Sequence, residues 1–139
     1  MSSVFSKIVQ REIPAYIVYE DELVMAFLDI TQATKGHTLV IPKEAYENIF
    51  VMPEALASHL FGVATKIAKS IQKAFHAPAL NILSNNGEMA GQSVFHFHVH
   101  LIPRYGKGDE NVLILANHQQ QLTQEDYKER AQKIKEALS

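Results

Sequence analysis

Cysteine and tryptophan are both missing from this chain of 139 residues. Without cysteine, the chain cannot form disulfide bonds or thiolate metal sites. Lysine and arginine form no cluster, and the formal net charge is only −2, so the composition does not indicate a nucleic-acid partner. No apolar stretch approaches the ~20 residues that a membrane-spanning helix needs, and the first ten residues are too polar for a signal peptide. We therefore expect a cytoplasmic protein that binds neither nucleic acid nor membranes.

The rest of the composition is that of a globular protein, with 47% hydrophobic and 20% charged residues. The length fits one domain. We expect residues 1–110 to form its main body. Residues 111–139 are expected to form a C-terminal tail, with a helix, that is part of the same domain.

Helix and strand signals follow one another in a mixed order. Ser3 caps an opening helix that ends before Pro14, and Thr123 caps a C-terminal helix. A long helix begins at Pro53, and its apolar stripe consists of Leu56, Leu60, Val63, Ala64, Ile67, Ile71 and Phe75. Strands are predicted over residues 16–20, 23–29, 37–41, 80–84 and 94–103. This order indicates an α+β fold on a five-stranded antiparallel sheet, with one long and one or two shorter helices.

Histidines alternate with apolar residues along the fifth predicted strand. Because neighbouring side chains of a strand point to opposite faces, one face receives the histidines and the other the apolar residues. The histidine face holds His96, His98 and His100, and the apolar face holds Phe97, Val99 and Leu101. We expect the apolar face to pack on the long helix, which leaves a row of three imidazoles on the opposite face.

Three interpretations of this histidine row are open at this point. The first is a partly solvated or hydrogen-bonded face without a chemical function. The second is a metal site, since two histidines separated by one residue can present ring nitrogens to the same ion, although the strand has no acidic residue to complete the ligand set. The third is nucleophilic catalysis at phosphorus, because a neutral imidazole with a pKa of about 6.5 is a good nucleophile at neutral pH.

The loop before the row favours the third interpretation. Residues 87–93 combine two glycines with polar side chains, and backbone amides in such a loop can form a nest that binds an anion. Ser93 adds a hydroxyl group next to the histidines. The position of this loop therefore indicates phosphate chemistry.

The histidine row completes the pattern His-φ-His-φ-His-φ-φ over residues 96–102, where φ is apolar. With the preceding Gly-Gln-Ser of residues 91–93, this segment resembles the histidine-triad (HIT) superfamily, in its Hint-like and bacterial Hit-type branch of purine nucleotide hydrolases. The similarity extends over about residues 3–105 and includes residues 5–8, 12–14, 26–30 and 36–43. It implies a homodimer that cleaves the α-phosphorus bond of purine nucleoside phosphoramidates or related AMP or GMP conjugates. The reaction would proceed through a nucleotidyl-histidine intermediate without a cofactor.

The resemblance also implies catalytic roles. His98 falls at the position of the nucleophile. His96, His100 and the upstream His37 fall at positions that orient and buffer the nucleophile through hydrogen bonds. Ser93 falls near the leaving group.

The nucleotide-binding residues follow from the same resemblance. Asp29 corresponds to the carboxylate that takes the ribose hydroxyls, although a turn or cap residue is the plain interpretation of an aspartate at a strand end. The residues at the phosphate end are Asn85, Gly91, Gln92, Ser93 and Val94. The base pocket comprises Phe5, Ile8, Phe27, Ile30 and Leu39, which the sequence alone would assign to the core.

The chain also departs from its relatives. Ser3 and Ser6 stand where some Hit-type proteins have zinc-binding cysteines, and Ala45 stands where they have a zinc-binding histidine, so we expect no metal. Because tryptophan is missing, any tryptophan contact from a partner subunit's tail is missing too. Two other functions remain as alternatives, a non-enzymatic nucleotide-binding dimer and a histidine-ligated metalloenzyme.

Overall fold

The computed structural model describes residues 3–109 and 115–138. The helices are α1 (Val4–Val9), α2 (Glu54–Phe75) and α3 (Gln124–Ala137), and the strands are β1 (Ile17–Glu20), β2 (Val24–Leu28), β3 (Thr38–Pro42), β4 (Ala79–Leu83) and β5 (Val99–Arg104). All neighbouring strands are antiparallel, in the order β1-β2-β3-β5-β4. The predicted α+β fold is confirmed. None of these three helices combines the length and hydropathy that crossing a lipid bilayer requires. The division expected at residue 110 lies outside the described residues and stays a prediction.

Both predicted caps are present. The Ser3 side chain accepts a hydrogen bond from the Ser6 amide at 3.1 Å and opens α1. Thr123 and Asp126 each accept a hydrogen bond from the other's amide, a capping box that opens α3. Pro53 lies directly before α2 instead of inside it, a difference of one residue at a helix boundary.

The sheet has one hydrophobic core on each face. On one face, the α2 side chains Leu60, Val63, Ala64, Ile67 and Ile71 pack with Val24, Ala26, Val40, Phe97, Val99 and Leu101. On the other face, the α1 side chains Phe5 and Ile8 pack with Met25, Phe27, Leu39 and Ile41. Successive residues of β2 and β3 therefore alternate between the two cores, as the pleat of a strand requires. Burying each large aliphatic side chain stabilises the fold by about 1.5–3 kcal/mol.

The strand that carries the histidines is shorter than predicted. It begins at Val99, so His96 and His98 precede β5 and only His100 lies within it. The prediction of a strand from residue 94 is wrong, because the ladder with β3 ends at the pair Val40–Val99. Two residues further along β3, Pro42 has no amide hydrogen with which the pairing could continue. The Phe97 amide donates instead to the carbonyl oxygen of residue 46, at 2.7 Å. The expected packing of the apolar face on α2 is nevertheless confirmed.

The predicted hairpin of β1 and β2 is confirmed. Asp21 forms its turn by accepting hydrogen bonds from the amides of Leu23 and Val24, both at 2.8 Å. Beyond the last pair of the ladder, the Leu28 amide donates to the carbonyl oxygen of Tyr16 at 3.0 Å. This bond fixes the chain before β1 beside the end of β2.

Candidate active site

Four histidines come together on the sheet face that α1 covers. The ring centroids of His98 and His100 are 5.1 Å apart, and those of His100 and His37 are separated by the same distance. His96 is the fourth, and its ring contacts Phe5 of α1, as the ring of His98 does. His100 meets His37 because β3 and β5 are paired neighbours. Three of the rings are buried, and His100 is half-buried.

The ring of His98 has one nitrogen engaged and one free. Its Nδ1 lies 2.8 Å from the carbonyl oxygen of His96. Because a carbonyl oxygen only accepts, Nδ1 carries the proton and donates it to this bond. The neutral ring then keeps its lone pair on Nε2, which has no hydrogen-bond partner among the described residues. The Ser84 hydroxyl donates to the carbonyl oxygen of His98 at 2.9 Å and holds this part of the chain in place.

His37 and His100 form a directed chain of hydrogen bonds. The Ala33 amide donates to Nδ1 of His37 at 3.2 Å, so the proton of the neutral His37 ring is on Nε2. That Nε2 lies 2.9 Å from Nδ1 of His100 and donates to it. The neutral His100 ring must then carry its own proton on Nε2. An N–H of His100 and the Nε2 lone pair of His98 therefore belong to neighbouring rings.

His96 is held from both sides of its ring. Its Nε2 donates to the carbonyl oxygen of Pro42 at 2.7 Å. Its Nδ1 accordingly accepts, and the hydroxyl groups of Ser3 and Ser6 both lie 3.4 Å away. Ser3 and Ser6 thus both contact this ring directly. These bonds hold His96 in place, and its own backbone carbonyl oxygen accepts the hydrogen bond from His98.

All four histidines are neutral at neutral pH, because burial lowers the pKa of each ring below its ordinary value. The pKa of His100 falls to about 4, first through burial and then through the neighbouring rings of His98 and His37. Burial also dominates the lowered pKa of His37, although Asp29 opposes it. A neutral His98 is the nucleophilic form.

Asp29 places a carboxylate beside two of these rings. Its Oδ2 lies 3.5 Å from Nε2 of His37 and 3.8 Å from Nδ1 of His100. Its Oδ1 accepts hydrogen bonds from the amide and the hydroxyl of Thr31 at 2.8 and 2.6 Å. Burial alone would raise the pKa of Asp29, but the Thr31 bonds and the two histidines outweigh it, so the pKa lies below its ordinary value.

In the described part of the chain, one group of side chains has ligand atoms close enough together to hold a metal ion. It consists of Asp29, His37 and His100. A metal on Nε2 of His37 would move the proton of the neutral ring to Nδ1. That nitrogen faces the Ala33 amide hydrogen, so two N–H groups would point at each other. The donor set therefore fits a chain of hydrogen bonds better than it fits a metal ion.

The loop before His96 is braced by Gln92. This side chain is buried, and its amide group forms hydrogen bonds with backbone groups nearby. Its Oε1 accepts from the Gly87 amide at 2.7 Å, and its Nε2 donates to the carbonyl oxygens of Glu47 and Val94 at 2.7 and 3.0 Å. The side chain of Gln92 thus shapes the loop, and its polar atoms are already used within it.

The neighbouring residues leave polar groups available. Ser93 is exposed, and neither its hydroxyl nor its amide has a hydrogen bond within the described ranges. The amide of Val94 is also free there. Gly91 has a φ of +94°, and a Cβ at this position would lie 3.6 Å from the side chain of Asn85. The predicted phosphate-end residues are therefore neighbours, with Ser93 and Val94 supplying the unengaged donors.

A cavity of about 300 Å³ opens beside α1. It is lined by all six residues predicted to hold the base and ribose, Phe5, Ile8, Phe27, Asp29, Ile30 and Leu39. Its wall also includes Val4, Leu28 and residues 13–16, which the sequence did not predict. Residues 13–16 join α1 to β1 outside any regular element, so no helix or strand periodicity could have identified them.

The sequence of this site has clear relatives. A family model described as HIT domain matches residues 10–107. This chain belongs to the HIT family. The HIT match includes the four histidines, Asp29, the loop at residues 85–94 and all five described strands.

Individual HIT proteins resemble the chain over most of its length. The protein named Protein hit from Bacillus subtilis is 48% identical over 136 residues, which cover 98% of this chain and 94% of the relative. A crystal structure of a HIT family protein from Bacillus subtilis has a TM-score of 0.95 at 47% identity, covering 100% of this chain and 99% of that one. The protein named adenosine 5′-monophosphoramidase from Schizosaccharomyces pombe is 38% identical over 112 residues, covering 78% of this chain and 81% of the relative. The predicted family and fold are confirmed.

Proposed function

We propose that this HIT protein is a nucleotide hydrolase that cleaves purine nucleoside phosphoramidates or related AMP or GMP conjugates. The observation that carries the proposal is the hydrogen bonding of the histidines, which leaves a lone pair on Nε2 of His98 and an N–H on the neighbouring ring of His100. A nucleophile next to a hydrogen-bond donor suits attack on a phosphoryl group, whose oxygens need such donors. The name of the Schizosaccharomyces pombe relative, adenosine 5′-monophosphoramidase, supports the substrate class.

In the first step, Nε2 of His98 attacks the α-phosphorus and forms a P–N bond. The amine leaves with the electron pair of the bond that breaks, and solvent at the exposed Ser93 supplies its proton. The His98 ring becomes cationic, and the His96 carbonyl oxygen stabilises it through the Nδ1–H bond of 2.8 Å. The Nε2–H of His100 and the free amides of Ser93 and Val94 bind the phosphoryl oxygens.

In the second step, water attacks the phosphorus of the nucleotidyl-histidine. The new P–O bond replaces the P–N bond to His98, whose electron pair returns to Nε2, and the water proton passes to solvent. Dividing one displacement into two lowers the barrier of each. The adenosine or guanosine occupies the cavity beside α1, with its ribose hydroxyls on Asp29.

Trapping the intermediate tests this proposal. Wild-type protein, mixed briefly with an adenosine phosphoramidate and quenched without acid, should carry a nucleotidyl group that mass spectrometry locates on His98. His98→Asn should lower turnover by several orders of magnitude and leave AMP affinity nearly unchanged. His76→Asn is the matched control, because His76 is exposed at the end of α2. An adduct on another residue, or near-normal turnover of the His98 variant, would show that the mechanism is wrong.

The same measurements separate the two alternatives. A non-enzymatic nucleotide-binding dimer would bind AMP without forming any adduct in a single turnover. A metalloenzyme would lose activity on dialysis against a chelator and regain it with zinc. We expect an adduct because Nε2 of His98 keeps a free lone pair within the described part of the chain. We expect no loss of activity with a chelator, because the Ala33 amide keeps a proton on the His37 nitrogen that a metal would need.

A further inference from the structure

We propose that Tyr16 forms the outer wall of the base cavity and gives the site a preference for purines over pyrimidines. This inference rests on the proposed nucleotide hydrolase function and adds a specificity-determining residue to it. Tyr16 lines the cavity together with Phe5, Ile8 and Phe27. Tyr16 is 66% exposed, whereas those three residues are 7%, 8% and 3% exposed. The ring of Tyr16 therefore belongs to neither hydrophobic core and is free to cover a ligand in the cavity.

A cross-strand hydrogen bond fixes the backbone of Tyr16 beside the cavity. The carbonyl oxygen of Tyr16 accepts a hydrogen bond from the Leu28 amide at 3.0 Å, and Leu28 lines the same cavity. Asp29, which is next in the chain, directs its carboxylate to the histidines. One end of the hairpin thus carries Tyr16 at the cavity and Asp29 at the reaction centre. A nucleotide lying along this path brings its base to Tyr16.

The chemistry of the wall determines what Tyr16 can recognise. Among the described lining residues, only Tyr16 and Asp29 have side chains with hydrogen-bonding groups, and the proposed function assigns Asp29 to the ribose hydroxyls. The base is therefore bound by stacking and apolar contact, and its polar edge is not read by a set of side chains. Stacking increases with the area of the rings that overlap. A two-ring purine consequently gains more from Tyr16 than a one-ring pyrimidine does.

Calorimetric titration of the full chain with AMP and with CMP tests the inference, since neither nucleotide is turned over. Tyr16→Ala should raise the Kd for AMP roughly tenfold, the loss expected for one base–aromatic stack, and should raise the Kd for CMP much less. Tyr16→Phe should keep both affinities. Val18→Ala is the matched control, because Val18 is 50% exposed on the same hairpin and does not line the cavity. The melting temperature of Tyr16→Ala should stay unchanged, since its ring is not part of a core.

Each other outcome overturns a defined part of the argument. If Tyr16→Ala binds AMP normally while Asp29→Asn binds it weakly, the nucleotide site stands and Tyr16 is not its wall. If the AMP to CMP ratio does not change, Tyr16 does not determine base preference. If Tyr16→Phe loses as much affinity as Tyr16→Ala, the hydroxyl acts and stacking does not. If wild-type protein binds neither nucleotide, the proposed function itself is wrong.

Discussion

The ring of Phe5 meets the ring of His98 edge to face, with their centroids 4.9 Å apart. Phe5 also contacts Phe27 edge to face, with centroids 5.6 Å apart. A single residue of α1 therefore joins the wall of the base cavity to the proposed nucleophile. Edge-to-face contacts of this kind are worth about 0.5–1.5 kcal/mol beyond the area that they bury.

Phe5→Leu should keep the cavity apolar but remove the contact with the His98 ring. We expect kcat/KM for an adenosine phosphoramidate to fall about tenfold, because a loss of about 1.4 kcal/mol of transition-state stabilisation has that effect. The loss should appear as a lower kcat and a higher KM, since Phe5 touches the nucleophile and lines the base cavity. Phe50→Leu serves as the control, because Phe50 is 81% exposed and does not line the cavity. A change in KM alone would mean that the ring contact has no effect on the chemistry.

The lowered histidine pKa values determine how activity depends on pH. Burial keeps the pKa of His98 below its ordinary value, so the nucleophile stays neutral from alkaline pH down through neutrality. The acidic limb of the kcat/KM profile should therefore lie below about pH 6.5, the ordinary histidine pKa. An acidic limb centred above that value would contradict the assignment of a buried neutral nucleophile.

Stability should depend on pH in the same range. A histidine whose pKa is lower in the folded protein binds more protons when unfolded, so the free energy of unfolding rises with pH between the two pKa values. For His100 this window runs from about 4, its folded value, to about 6.5, the unfolded value. Urea titrations between about pH 5 and about pH 7 should show the rise, and His100→Gln should reduce its slope. An unchanged slope in that variant would exclude His100 as a source.

Asp29→Asn tests the ribose contact through a ratio of substrates. A hydrogen bond to a charged group contributes about 1.5–3 kcal/mol, so a ribonucleotide conjugate should lose roughly ten- to a hundredfold in kcat/KM. The 2′,3′-dideoxy analogue should lose much less, because it has no hydroxyls to bind. The substitution also changes the surroundings of His37 and His100, but this change affects both substrates equally and cancels in the ratio. Equal losses for the two substrates would show that Asp29 acts only through the histidines.

The last residue of α2, Phe75, leaves no room for a larger side chain at Gly36. Gly36 has a φ of +95°, and a Cβ there would lie 3.0 Å from two ring atoms of Phe75. Gly36→Ala should lower the free energy of unfolding by about 2–5 kcal/mol, the sum of left-handed backbone strain and overpacking. Because Phe75 is 38% exposed, Phe75→Leu should cost little alone and should recover part of the loss in the double variant. Strict additivity in the double-mutant cycle would mean that the ring is not the obstacle.

A homodimer is expected through the long helix and its neighbouring strand. Among the described strands, β4 ends the sheet and has one unpaired edge, and Ile82 on this strand is 59% exposed. Light scattering should give twice the chain mass of 15.6 kDa. Ile82→Lys should shift the mass toward the single chain. Val18→Lys, on the opposite edge strand and 50% exposed, should not. A single-chain mass for the wild type at micromolar concentration would exclude the dimer.

Local patterns predicted the helices and the two faces of the histidine segment. The α2 stripe follows from a period of 3.6 residues, and the separation of Phe97 from its neighbouring histidines follows from strand alternation. The first residue of β5 could not be predicted from local patterns, because it depends on where the pairing with β3 stops. The direction of the hydrogen bonds at His37 depends on the Ala33 amide, whose position is set by a loop. Tyr16 escaped prediction because its place at the cavity comes from a cross-strand bond to Leu28.

The shortness of α1 links nucleotide binding to local unfolding. Six residues are too few for a helix to be stable alone, so α1 stays folded because Phe5 and Ile8 are buried against the sheet. The same two side chains line the cavity, and a ligand there binds only while α1 is docked. At a hundredfold excess over Kd, such a ligand adds about 2.7 kcal/mol to the free energy of opening. Amide hydrogens of the first helix should therefore exchange more slowly when nucleotide is bound, which makes this segment a reporter of occupancy.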